Sequence, residues 1–124
     1  MIARYTRPNL AALWSEARKL ATFLDVELAA CEALEAQPSS PIPVGTTARL
    51  RARAQATGPL DGARIAVIEE TTQHDVLAFL THVEERLGDE ARYQHFGLTS
   101  SDVLDTTTAI LLRDDADEIL SGLR

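Results

Sequence analysis

TQHDVLAFLTHVEERLG, residues 72–88, carries the clearest helical signal in the chain. Val76, Leu77, Phe79, Leu80, Val83 and Leu87 recur at the spacing that lines one face of an α-helix. Gly88 supplies a C-terminal stop. His82 falls on the polar side of this helix and reads as an exposed surface histidine. At the front, Thr72 and Asp75 have the Thr-x-x-Asp spacing of a capping box, in which each side chain satisfies an orphan backbone donor. His74 then lies in the first turn, near the positive end of the helix dipole. That location favours a neutral ring with one N–H to donate, while Asp75 pulls the other way.

Upstream, a helical stripe of Leu13, Ala17, Leu20, Leu24, Leu28, Cys31 and Leu34 predicts one helix from Leu10 to Ala36, capped by Asn9. Met1 to Pro8 reads as extended or irregular, because Pro8 biases Arg7 away from helix. Cys31 sits in the apolar stripe and reads as a small core residue. The proline-punctuated stretch PSSPIPVG is a loop. Thr46 or Thr47 opens a short helix whose arginines, Arg49, Arg51 and Arg53, read as a solvated face. Another helix, from Pro59 to Glu70, is anchored by Leu60, Ile65 and Ile68 and interrupted by Thr71 and Thr72.

Downstream, DEARYQ is a short helical turn and HFGL is irregular. Thr99 to Asp102 repeats the Thr-x-x-Asp box and opens a last helix still unfinished at Arg124, with Gly97 allowing the backbone to turn just before it. Exposed N–H groups at such a start, flanked by hydroxyls, suit a phosphate or carboxylate. Taken singly, each box is an ordinary cap. No strand pattern and no internal repeat stands out, so the expected architecture is all-α with short connections.

The 124 residues carry a formal net charge of −7 and one cysteine. The acidic balance argues against a nucleic-acid binder built on a basic face, though a local cluster of donors would still serve an anionic small molecule. One cysteine excludes an internal disulfide and fits a reducing cytosol. No stretch approaches the length of a membrane span, and the N-terminus lacks a signal-peptide layout. His74, His82 and His95 have no second ligand at a metal-binding interval, and no phosphate-binding glycine motif occurs.

The order of motifs is more specific than any one of them. RYTRP at residues 4–8, TQHDV at 72–76 preceded by RIAVIEE, and HFGLTSSDVLDT at 95–106 together resemble the N-terminal region of the adenylosuccinate lyase family, within the fumarase/aspartase superfamily. The resemblance spans essentially the whole chain. It implies an N-terminal helical domain over residues 1–98 and, from residue 99 to 124, the start of a central helix bundle cut within its first long helix. It also implies β-elimination of fumarate from adenylosuccinate, giving AMP, and from the succinyl-carboxamide ribotide of purine biosynthesis. No cofactor or metal is called for; the partner is a small-molecule nucleotide, with no nucleic acid and no membrane. The full-length enzyme is expected to be a cytoplasmic homotetramer.

Carried over by position, Arg4 and Tyr5 match a nucleotide-contacting pair. His74 and Asp75 match a substrate-binding His-Asp, His74 near the reacting centre; Thr99 and Ser100 match a pair for the succinyl carboxylate. His95 matches a further substrate-binding histidine of the active site, one that orients the substrate or binds its phosphate. Gln73 stands where the family commonly has Lys or Arg, and so loses a charge that would attract an anionic substrate. The family's acid histidine and its serine-rich base loop have no counterpart in these residues, so the chain alone is expected to lack turnover. An apolar stripe around Val103, Leu104, Ile110, Leu111 and Leu112 is expected to seek a partner. The rival readings are another superfamily lyase, such as argininosuccinate lyase, and a non-catalytic helical interaction module.

Overall fold

In a computed structural model, which describes residues 2–123, the chain is all-α: no strand occurs among the described residues. Six helices follow in order: α1 (Pro8–Leu13), α2 (Glu16–Glu35), α3 (Thr46–Thr57), α4 (Gly62–Thr72), α5 (Asp75–Leu87) and α6 (Ser100–Gly122). Short 3-10 turns cover Ala3–Tyr5 and Asp89–Tyr93.

The single helix expected from Leu10 to Ala36 is two. Arg7 rather than Asn9 is the N-cap of α1, with Pro8 at the first position, where its missing N–H costs nothing. The side chain of Asn9 instead donates to Glu118 at 2.9 Å. The break falls at Trp14 and Ser15 because Ser15 takes extended dihedrals and its hydroxyl accepts from the Arg18 N–H, starting α2 afresh. Glu35 at the far end of α2 turns the loop back: its carboxylate accepts from the N–H and hydroxyl of Thr47, at 2.8 and 2.7 Å, and from the Gly45 N–H. Gly45 needs its φ of +83° to make that turn.

Thr71 and Thr72 do not interrupt a helix; they complete α4, which Asp61 caps by accepting from the N–H groups of Ala63 and Arg64. The break comes at Gln73, left-handed with φ of +52°, and His74, extended. The expected Thr72–Asp75 box therefore does not form. His74 itself is the N-cap of α5, its Nδ1 accepting from the Leu77 N–H at 3.2 Å. An imidazole nitrogen does the work expected of a threonine hydroxyl.

Leu20, Phe23 and Leu28 of α2, Leu50 of α3, Ile65 and Ile68 of α4, Phe79 and Val83 of α5 and Val103 of α6 form one core. Phe23 meets Phe79 edge to face, with ring centroids 5.4 Å apart, a geometry that suits the quadrupoles of two aromatic rings. Cys31 is buried, as its place in the stripe requires. The apolar stripe expected to be open at the start of α6 is only partly so. Val103 and Leu111 are buried and Leu104 packs on the core, while Leu112 is exposed.

One polar expectation is corrected and another refined. His82 is buried, at 3% exposure, because Nε2 accepts the Asp61 N–H and Nδ1 faces Glu85. The α3 arginines are half-exposed but pinned. Arg49 and Arg53 share Glu90, Arg53 also donates to the Leu87 carbonyl, and Arg51 pairs with Glu32.

Candidate functional site

The N-termini of α5 and α6 converge. His74, capping α5, has its Nε2 3.3 Å from the hydroxyl of Ser100, the first residue of α6. The Nδ1 lone pair of His74 is spent on the Leu77 N–H, so the neutral ring carries its proton on Nε2 and donates it toward Ser100. Asp75 sits beside it, its carboxylate accepting from the Val76 N–H at 2.7 Å.

The Thr99–Asp102 box forms. The Asp102 carboxylate accepts from both the N–H and the hydroxyl of Thr99, at 2.7 and 3.0 Å. Those bonds, the backbone one first, and more weakly the nearby His95 hold the Asp102 carboxyl below the usual range. Because Asp102 is turned onto Thr99, the donors left for a ligand at this start are those of the next residues, Ser100 and Ser101, whose N–H groups have no acceptor one turn back. Gly97, with φ of +75°, sets the chain's approach to the box.

His95 precedes Thr99 by one turn and is itself left-handed, with φ of +60°. Phe96 beside it is exposed, and the ring of His95 goes to Glu27. Glu27 lies on α2, fully buried, and takes the His95 backbone N–H on Oε2 at 2.7 Å and ring Nδ1 on Oε1 at 2.6 Å. Sequence reasoning passed over this residue. The signal was present, since Glu27 stands seven residues after Leu20 and four before Cys31, on the apolar stripe of α2. A carboxylate at that register has to be buried with a partner.

His74, Asp75, His95, Thr99 and Ser100 are thus gathered where α5 and α6 begin. Gln73 flanks them, but its amide is folded back to donate to the Glu70 carbonyl at 2.8 Å. Arg4 and Tyr5 are elsewhere. The Arg4 guanidinium lies 4.7 Å from the Tyr5 ring centroid, and the segment that follows runs along the far end of α6, where Arg7 flanks Gly122 and Asn9 bonds Glu118. Ser100 and Gly122 are 22 residues apart on one helix, a rise of about 33 Å. One small molecule cannot touch both corners of a single chain.

The gathered residues sit on an open face; Gln73 borders a shallow acidic depression with Ala66, Glu69 and Glu70. Among the described residues no three His, Cys, Asp or Glu side chains are arranged to hold a metal ion, and no helix is long and apolar enough to cross a membrane.

No protein-family profile matches the chain. Curated relatives do. It is 46% identical over 123 residues to the adenylosuccinate lyase of Synechocystis sp., covering 99% of this chain. It is 40% identical over 126 residues to that of Bacillus subtilis and 38% over 124 residues to that of Thermotoga maritima. The chain spans 27% of the length of each of these relatives. Among solved structures, a fumarate lyase from Mesorhizobium sp. BNC1 superposes with a TM-score of 0.72 over 85% of this chain and 24% of its own, at 24% identity. The helical arrangement is therefore one that a fumarate lyase also uses.

Proposed function

We propose that this chain is the substrate-holding N-terminal part of an adenylosuccinate lyase, with residues 1–98 as its helical domain and residues 99–124 as the start of a central bundle. The observation that carries the reading is the meeting of His74 and Ser100 across two helix starts. The similarity to adenylosuccinate lyases along nearly the whole chain supports it.

The reaction would be β-elimination of fumarate from adenylosuccinate, leaving AMP, and from the succinyl-carboxamide ribotide of purine synthesis. The free N–H groups and hydroxyls at the start of α6, with Thr99 and Ser100, hold the succinyl carboxylate. His74 supplies an N–H at Nε2 beside the reacting centre, and Asp75 stays against the α5 backbone. His95 faces the same corner. Gln73 borders it without adding charge. Arg4 and Tyr5 hold the nucleotide of a site whose His74 belongs to another copy, since the two corners of one chain lie too far apart; a homotetramer with shared sites meets that requirement. The acid and base of the elimination lie outside these 124 residues, so the chain alone does not turn over. No cofactor is needed, and the enzyme works in the cytoplasm.

A chimera tests this. These 124 residues replace the matching segment of the Bacillus subtilis enzyme, and fumarate release from adenylosuccinate is followed. The expected result is an active chimera that loses about 100-fold or more in kcat/KM on His74→Ala. A folded tetrameric chimera with no activity, or one indifferent to His74→Ala, overturns the reading. Activity on argininosuccinate instead favours a different superfamily lyase.

A further inference from the structure

Two histidines at this corner are wired in opposite senses. His74 accepts a backbone N–H at Nδ1, so its outward nitrogen, Nε2, carries the proton. His95 faces a carboxylate at Nδ1, and a carboxylate only accepts. Nδ1 of His95 therefore holds a proton, and in the neutral ring Nε2 carries the lone pair.

We propose that Glu27 is a positioning residue that fixes the neutral His95 ring in the Nδ1–H tautomer, so that this corner presents one imidazole as a hydrogen-bond donor and the other as a hydrogen-bond acceptor. Burying a carboxylate in a helical core costs several kcal/mol unless it is well partnered, and the partners here are both from His95. The backbone bond holds His95 in the left-handed conformation that a side chain other than glycine rarely adopts. The ring bond fixes its rotation and tautomer and would stabilise the imidazolium once Nε2 takes a proton. His82, the third histidine, has both nitrogens engaged and is buried, so it takes no part.

The inference rests on the site proposed above, but its test needs no lyase activity, so either can fail alone. Acylation by diethyl pyrocarbonate attacks an unprotonated imidazole nitrogen. Exposure alone predicts the wrong order: the side chain of His74 is 48% exposed and that of His95 only 22%. In the 124-residue chain, at a pH about two units above the ordinary imidazole range, mass-spectrometric mapping should show His95 modified several-fold faster than His74. Long-range proton–nitrogen NMR should show Nδ1–H at His95 and Nε2–H at His74. Glu27→Gln should slow His95 acylation and mix its tautomers while His74 stays unchanged. Faster modification of His74, a His95 ring already averaged between tautomers in the unaltered chain, or a folded Glu27→Gln chain with unaltered His95 reactivity overturns the proposal. The measurements on the unaltered chain decide it even where the variant does not fold.

Discussion

Asp61 donates its backbone N–H to Nε2 of His82 at 3.1 Å, tying the start of α4 to the middle of α5. The other ring nitrogen faces Glu85, and Glu85 takes two bonds from Arg64, at 2.6 and 3.1 Å, back on α4. Backbone, imidazole, carboxylate and guanidinium thus form a closed clasp between the two helices.

Removing the buried ring should open that clasp. His82→Ala leaves the Asp61 N–H without an acceptor and a void beside α4, and is expected to cost about 2–3 kcal/mol. Urea denaturation, with the slope unchanged and the midpoint lowered, checks this. A variant as stable as the parent would show that water replaces the ring without loss.

The same clasp sets a pH dependence. The Arg64 bonds, and then His82, hold the Glu85 carboxyl at about 2, below the usual 4.5. A carboxyl depressed by folding adds stability above its unfolded range and loses it as pH falls through the folded value. Stability should therefore decline between about pH 4.5 and 2. Glu85→Gln should flatten part of that decline, measured as thermal midpoints across an acid series. An identical acid slope in the variant would remove Glu85 from the account.

Gln73 holds a left-handed backbone at the end of α4, with φ of +52°. Glycine takes that conformation freely, and the bond lost, from the Gln73 amide to Glu70, is exposed. Gln73→Gly should raise stability by about 0.5–1 kcal/mol. Calorimetry of the two chains decides it, and a lowered midpoint would mean the amide bond outweighs the backbone strain.

Asp102 spends its carboxylate on Thr99 rather than leaving it to solvent. Asp102→Ala should cost about 1 kcal/mol through loss of the cap. The Thr99 N–H and hydroxyl that it frees should tighten binding of an inorganic anion at the helix start, read by phosphate titration of the Ser100 and Ser101 amides. Unchanged amide shifts would deny the start of α6 any affinity for anions.

Helix periodicity made the all-α class and the core faces legible, because burial of apolar stripes is what places α2, α5 and α6. Local hydrogen-bond competition was not legible. Ser15 split one predicted helix, and His74 displaced Thr72 as a cap, since cap choice turns on fractions of a kcal/mol that tertiary packing overrides. His82 and Glu27 were misread or missed for a shared reason. Each sits at a register where a polar residue survives only if a partner arrives from a distant segment, and one sequence does not announce that partner. At the candidate site, the motifs indicated which residues to watch, while the separation of Arg4 and Tyr5 from the rest follows from the length of α6.

The seam between the chain's first helices and α6 has a kinetic meaning. Asn9–Glu118, Trp14–Asp115 and Arg18–Asp114 join residues 109, 101 and 96 positions apart, whereas Asp61–His82 spans 21. Closing the longer loops costs about 1.4 kcal/mol more in chain entropy, roughly a tenfold handicap in the probability of first encounter. The α4–α5 clasp can thus zip early, as local contacts do, and the α1–α6 seam is left to close last. During synthesis α1 meets α6 only once residue 118, 109 positions after Asn9, has emerged.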